Sequence, residues 1–454
     1  MKSLIGDKKF YRMVLIVCIP IVIQNGFTNL ASLLDNIMIG QLGTLSMSGV
    51  SISNQLFQVF NVSVFGAMSG AGIFLAQFYG RGNRDGVHNC FRIKMLLGLL
   101  ISILAICIFK ILGPSLISLY LNDDPIASLT TLNFGKQYMD VMLIGLIPFA
   151  ITQVFSSSLR ETGNTVLPMK ASVIAVIVNF CINYILIFGH FGFPKLGVIG
   201  AAIGTVVSRI VEMGINIAAG LNNNYLRDAM RLDKISGDIF KNVVKRGMPL
   251  LCNEILWSIS IALISQCYST RGLSAVAAIN VTTTVTNFFM IICYAMGNSI
   301  SIIVGQRLGA GEIEYAKDCD LKMVFMNFMM CLCIGVALFL CSSFIPQIYN
   351  TSIEVKSLAT SLLRVSACML PIISLYYSSY FTMRAGGKTL LTFFFDSGYT
   401  FMFTFMVALC LTRFTNLPIF NVYLLVQCVD IPKAVLGITL VKKGIWVHNI
   451  VNEL

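Results

Sequence analysis

The chain has 454 residues, of which 56% are hydrophobic and only 11% charged, against roughly a quarter charged in an ordinary soluble domain. That balance excludes a soluble enzyme or a nucleic-acid-binding domain, and the net charge of +12 is spread along the chain rather than gathered on one solvated face. Twelve continuous apolar runs are long enough to cross a bilayer, which takes about 20 residues each as helix.

These runs lie near residues 13–39, 47–79, 93–113, 134–158, 169–189, 200–220, 247–269, 276–305, 323–343, 359–383, 390–411 and 421–441. They are unbroken rather than alternating, so the spans are α-helices and not strands of a closed barrel. The two longest, spans 2 and 8, are expected to include interfacial turns. With the N-terminus in the cytoplasm, the inner segments carry 23 of the 32 Lys and Arg residues, and both termini fall on the cytoplasmic side. Met1–Arg12 is polar and runs into a full span without a small-residue cleavage site, so no removable signal segment is expected.

The chain also repeats itself. Pro20, Gly43, Gln77, Gly80 and Gly82 recur 229 residues later as Pro249, Gly272, Gln306, Gly309 and Gly311. Arg160, Gly163 and Thr165 recur as Arg384, Gly387 and Thr389 at an offset of 224. Six spans per copy return the chain to its starting side, so the repeats are parallel, about an axis along the membrane normal. The expected architecture is an all-α membrane protein with two pseudo-symmetric six-helix lobes around a central cavity. Residues 1–220 form the first lobe, a basic cytoplasmic linker spans 221–246, and residues 247–454 form the second. Internal duplication in a membrane protein points to a transporter whose halves rock about a site between them.

An ionisable group at bilayer depth is expensive, so each one inside a span is a functional candidate. The candidates are Asp35, Arg209, Glu212, Glu254, Arg364, Asp396, Asp430 and Lys433. Asp35 lies late in span 1. Span 5 runs outwards and span 6 returns, which brings Asn179, Asn183 and Thr205 towards the same depth. A carboxylate ringed by amide and hydroxyl oxygens suits a hard cation such as Na⁺, or a proton. In the second repeat, Glu254 follows Asn253 and precedes Trp257 by one helical turn, and Asp396 sits among phenylalanines. Carboxylates beside aromatic rings could attract an organic cation. Arg209 with Glu212, and Asp430 with Lys433, form two i, i+3 pairs of swapped charge order at an offset of 221. Each can neutralise itself along its own helix. The alternative is an ionic gate joining Arg209 to Asp430 and Glu212 to Lys433. Pro20, Pro249, Pro148 and Pro371 place kinks at matching points in the two copies, with Pro20 and Pro249 as candidate hinges. The fourteen cysteines sit mainly in apolar runs and read as small apolar residues; Cys331 and Cys333 would point to different helix faces. The three histidines are far apart, so no metal site is expected beyond a Na⁺ at Asp35.

Taken in order on twelve spans, the motifs Asp35-Asn-Ile-Met-Ile-Gly40-Gln-Leu-Gly43, Ala76-Gln77-Phe-Tyr-Gly80-Arg-Gly82 and Asn179-Phe-Cys-Ile-Asn183-Tyr resemble those of the multidrug and toxic compound extrusion (MATE) family of secondary transporters. The resemblance implies two six-helix lobes in a V, exporting organic compounds in exchange for Na⁺ or H⁺. It makes Asp35, Asn179, Asn183 and Thr205 the cation site, although many members carry a second acid where this chain has Asn183. It makes Glu254 a helix 7 acid of substrate or cation recognition. The family's helix 10 acid has no counterpart in the segment that here contains Tyr376 and Tyr380, which leaves Asp396 as the candidate substitute. The implied partners are small organic substrates and the lipid bilayer, with no nucleic acid, no cofactor and a monomeric chain in the cytoplasmic membrane. A flippase for lipid-linked saccharides, from the same superfamily, is the alternative. No Walker motif is present to supply ATP hydrolysis.

Overall fold

In an apolar solvent every backbone N–H and C=O must find a partner within its own segment, and uninterrupted helix is the simplest way to do so. The computed structural model describes residues 4–121, 125–231, 233–349 and 351–453, so the start of the Met1–Arg12 segment lies outside it. Twelve helices among the described residues are long and apolar enough to span a bilayer. In the first repeat they are α1 (Lys8–Gly40), α2 (Thr44–Arg81), α3 (Arg84–Ser118), α4 (Pro125–Glu161), α5 (Val166–Phe188) and α6 (Val198–Leu221). In the second they are α7 (Gly237–Ser269), α8 (Leu273–Gly309), α9 (Ile313–Cys341), α10 (Ile353–Ala385), α11 (Thr389–Phe414) and α12 (Ile419–Lys442). The chain is thus a multi-pass, all-α membrane protein.

Two expectations change. The long helices α2 and α8, of 38 and 37 residues, are continuous and contain no interfacial turn. Each is over 50 Å long at about 1.5 Å per residue, well beyond a hydrocarbon core of about 30 Å, so polar ends stay helical outside it. For the same reason α3 begins at Arg84, and Lys94, counted by sequence among loop cations, is fully buried in the fold.

The residues divide into two compact units. The N-terminal unit comprises 23–75 and 83–244; the C-terminal unit comprises 1–22, 76–82 and 245–454. The start of α1 and the end of α2 therefore belong with the second repeat, a division that differs in detail from one drawn at residue 220. The repeat is visible in the backbone. Gly43 and Gly272 share a positive φ (110° and 101°), as do Gly82 and Gly311 (75° and 79°), where a side chain would be strained.

Proline shapes several helices. Pro148 follows a 3₁₀ turn, Leu143–Gly145, within α4. Pro371 cannot bond to the Ala367 carbonyl, and Gly335 of α9 packs against that same oxygen. Pro432 sits just after Val429, where α12 breaks into two segments, and the Tyr399 hydroxyl donates to the exposed Val429 carbonyl at 2.9 Å. Helix α11 carries two π-helical stretches, Phe394–Gly398 and Thr400–Phe405, which sequence gave no sign of. Cys331 is buried and Cys333 exposed, as their spacing requires, and all fourteen cysteines are free. Half of the thiols are exposed on helix surfaces, so Cys is less uniformly interior than its apolar surroundings suggested.

Candidate functional site

In the N-terminal unit the polar residues expected at one depth do meet. Asn183 lies about one and a half turns before the end of α5 and is fully buried; its Nδ2 donates to Asp35 Oδ1 at 2.6 Å and to Asn179 Oδ1 at 3.3 Å. Asn179, one turn earlier on the same face, donates to Thr205 Oγ1 of α6 at 3.4 Å. One acid from α1, two amides from α5 and a hydroxyl from α6 thus form a continuous chain. Asn183 Oδ1 is buried and accepts no hydrogen bond among the described residues. It lies against Gly204, where a Cβ would come within 2.0 Å of it, so only glycine there leaves the amide its place. An oxygen-rich cluster with one formal charge and one unsatisfied carbonyl fits a hard monovalent cation or a proton.

Several polar neighbours were not foreseen. Tyr138 of α4 is buried, donates to Asn54 of α2 at 3.2 Å, and lies beside Asp35 and Thr205. A tyrosine in an apolar run gives no sequence signal by itself. Further along the same helices, Glu212 accepts from Ser172, Ser172 accepts from Gln24 at 2.9 Å, and Arg160 reaches Gln24 Oε1 at 3.3 Å. Lys94 completes the polar interior by pairing with Glu161 and donating to Ser157 at 3.0 Å. Lys94 and Glu161 were missed because each stands close to the end of a predicted span, while α3 begins earlier, at Arg84, and α4 runs on to end at Glu161.

The C-terminal unit joins residues that sequence could not place in one site. Asn253 Nδ2 donates to Asp396 Oδ2 at 3.1 Å and to the Tyr380 hydroxyl at 3.4 Å. Tyr380 in turn donates to Glu254 at 3.1 Å. Glu254 and Asp396 therefore belong to one network. Asp396 is also bound on its other oxygen by Lys433 Nζ at 2.9 Å. Trp257 and Tyr376 are elsewhere: they line a cavity of about 290 Å³ whose charged wall residues are Asp430 and Lys433. Glu254, Asn253, Asp396 and Tyr380 are not among the residues lining it.

The i, i+3 pairs do not close on themselves. Lys433 pairs with Asp396 across helices rather than with Asp430 along α12. Arg209 stacks its guanidinium 4.9 Å from the Phe149 ring centroid and reaches the Gly145 carbonyl of the 3₁₀ turn at 3.5 Å, while Glu212 takes the Ser172 hydroxyl. Packing against other helices supplies better partners than a side chain one turn away. Arg364, the remaining intramembrane candidate, is held by Ser342 and Ser343 at 3.3 and 3.0 Å. Among the described residues no group of three His, Cys, Asp or Glu could hold a metal ion.

The chain is similar to known proteins over most of its length. A curated relative, the probable multidrug resistance protein NorM of Thermotoga maritima, is 26% identical over 82% of this chain and 79% of its own. Another, the probable multidrug resistance protein YoeA of Bacillus subtilis, is 23% identical over 84% of this chain and 82% of its own. A solved structure of MATE in complex with MaL6 superposes with a TM-score of 0.85 over 97% of both chains at 20% identity, which establishes the shared fold. The MatE family model matches residues 20–185 and 249–410, one segment in each repeat. The chain therefore belongs to the MATE family of multidrug transporters and is not an enzyme.

Proposed function

We propose that this protein is a secondary antiporter of the cytoplasmic membrane that exports amphipathic organic cations in exchange for H⁺ or Na⁺, with both termini cytoplasmic. The observation that carries the reading is the bonded chain Asp35–Asn183–Asn179–Thr205. Its relatives' names, multidrug resistance proteins, support export as the direction.

Asp35 supplies the only formal charge of this chain, and Asn183 ties it to α5. A cation arriving at the Asp35 carboxylate cancels its charge and competes with the Asn183 amide for the same oxygen. Cation binding thus weakens the α1–α5 tie, and Pro20, with no donor for its turn, lets α1 bend once that tie is loosened. Pro249 offers the corresponding bend in α7. The flippase alternative requires free bases to hold a pyrophosphate; Lys433, the base on the cavity wall, is committed to Asp396.

The test uses purified protein in liposomes with pH and Na⁺ gradients imposed separately. Asp35→Asn keeps the shape and removes the charge, so gradient-driven export should stop while the protein remains folded. Near-normal uphill export by that variant would place coupling elsewhere.

A further inference from the structure

The cavity in the C-terminal unit is not accounted for by the cation chain in the other unit. Its wall carries Trp257 of α7, Tyr294 of α8, Tyr376 and Tyr377 of α10, and Tyr423 and Asp430 of α12. The rings form a built surface: Tyr376 and Tyr377 stack at 5.0 Å, Tyr294 meets Tyr377 edge-on at 5.1 Å, and their hydroxyls lie 3.3 Å apart. Tyr423 is fixed by Ser366 at 2.8 Å. A concave aromatic lining into which a minority of polar side chains converge, here Asn287, Gln427, Asp430 and Lys433 among them, is what small-molecule sites share.

Charge decides what it would hold. Lys433 reaches the wall, but its three donors are taken by Asp396 Oδ1 at 2.9 Å, the Asp396 carbonyl at 3.4 Å and Thr400 Oγ1 at 3.2 Å. Its ammonium also sits 4.5 Å from the Tyr376 ring centroid. Lys433 and Asp396 thus cancel, and no donor of Lys433 is left for an anionic guest. Asp430 makes no ion pair among the described residues. The cavity therefore keeps one uncompensated negative charge among electron-rich rings, which attracts a cation twice over, by Coulomb's law and by the ring faces.

We propose that this cavity binds a monovalent organic cation with a flat apolar body, and that Asp430, rather than Glu254 or Asp396, is its counter-charge. The inference deepens the export reading, on which its relevance to transport rests, but binding can be measured apart from transport. The chain has two tryptophans, Trp257 on the cavity wall and Trp446, which is buried and donates to the Val441 carbonyl. Trp257 fluorescence is therefore a local reporter.

Purified full-length protein in detergent at pH 8 is titrated with naphthylmethyl-trimethylammonium and with the neutral isostere in which carbon replaces the ammonium nitrogen. The ammonium should quench the emission and bind more tightly than the isostere, and Trp257→Phe should abolish the quench. Asp430→Asn should weaken the ammonium by at least about thirtyfold, the scale of one partly screened ion pair, and leave the isostere unchanged. Asp430→Glu should restore selectivity for the ammonium. Unchanged ammonium affinity in Asp430→Asn would overturn the proposal, as would loss of selectivity in Glu254→Gln with Asp430→Asn unaffected. Should Asp430→Asn fail to fold, Tyr377→Leu, which removes a wall ring and no charge, must weaken both probes; an unweakened response overturns the assignment. Export that fails in liposomes while this binding persists would refute antiport alone, and export without Asp430-dependent binding would refute the cavity alone.

Discussion

Replacing Asn183 by Asp gives the cation cluster the second acid that it lacks. The amide nitrogen that becomes an oxygen now stands 2.6 Å from Asp35 Oδ1, at a fully buried position. With an effective dielectric constant of about 20, two unit charges that close repel by roughly 6 kcal/mol, and by roughly 4 kcal/mol after relaxing to about 4 Å. A cation between the carboxylates removes most of that repulsion, so the ceiling on the gain in cation affinity is about three to four decades. Part is lost because one carboxylate can turn towards water, and the expected gain is at least about tenfold. The assay is thermal unfolding of the purified variant in detergent across a Na⁺ titration at pH 8, paired with proton release on unfolding. A tenfold tighter site adds about 1.4 kcal/mol of stabilisation at saturating Na⁺. Asn183→Asp should show this gain for Na⁺ or an additional proton held in the folded state, and Asp35→Asn/Asn183→Asp should show neither. A variant with wild-type Na⁺ dependence and no extra proton would refute the claim that these residues share one cation.

Two further outcomes follow from the packing. Asp396→Asn takes from Lys433, whose side chain is 3% exposed, its hydrogen-bonded carboxylate and leaves only Asp430, one turn away and not bonded to it, to offset its charge, and should cost about 1–3 kcal/mol in unfolding free energy. Adding Lys433→Met should recover most of it, whereas an Asp396 that served only in coupling would lower transport without this rescue. Gly335→Ala places a Cβ 2.6 Å from the Ala367 carbonyl, a backbone atom that cannot swing aside, and should cost about 1–3 kcal/mol; an unchanged unfolding midpoint would show that α9 and α10 are free to separate.

The fold was readable because membrane spans are written in length and hydropathy, and because the repeat supplied a second copy of each landmark. Helix direction was enough to bring Asp35, Asn179, Asn183 and Thr205 together, since depth in a bilayer is close to a linear coordinate along each span. What it could not supply was rotation about the helix axis. Glu254 and Trp257 are a single turn apart, yet one joins the Asn253–Tyr380 network and the other lines the cavity. Lys433 was assigned to its own helix for the same reason. Its true partner depends on how α11 turns, and the π-helical stretch that holds Asp396 resets that rotation. Lys94 and Glu161 escaped because a charge near a span end reads as solvated until the helix is seen to start earlier, at Arg84, or to run on to Glu161 itself.

The repeated glutamine–glycine motif meets itself. A Cβ on Gly80 would lie 1.8 Å from the Gln306 carbonyl, and one on Gly309 would lie 1.9 Å from the Gln77 carbonyl. Each copy presents its glycine to the other copy's glutamine, the reciprocal register of an isologous interface. A side chain on either glycine would push the two motifs apart, so this close approach of backbone to backbone depends on glycine in both copies. Gln77 donates to the Ala385 carbonyl at 3.0 Å and accepts from the Ile450 amide at 2.9 Å, so the segment around Ile450 is folded onto the first copy of the motif.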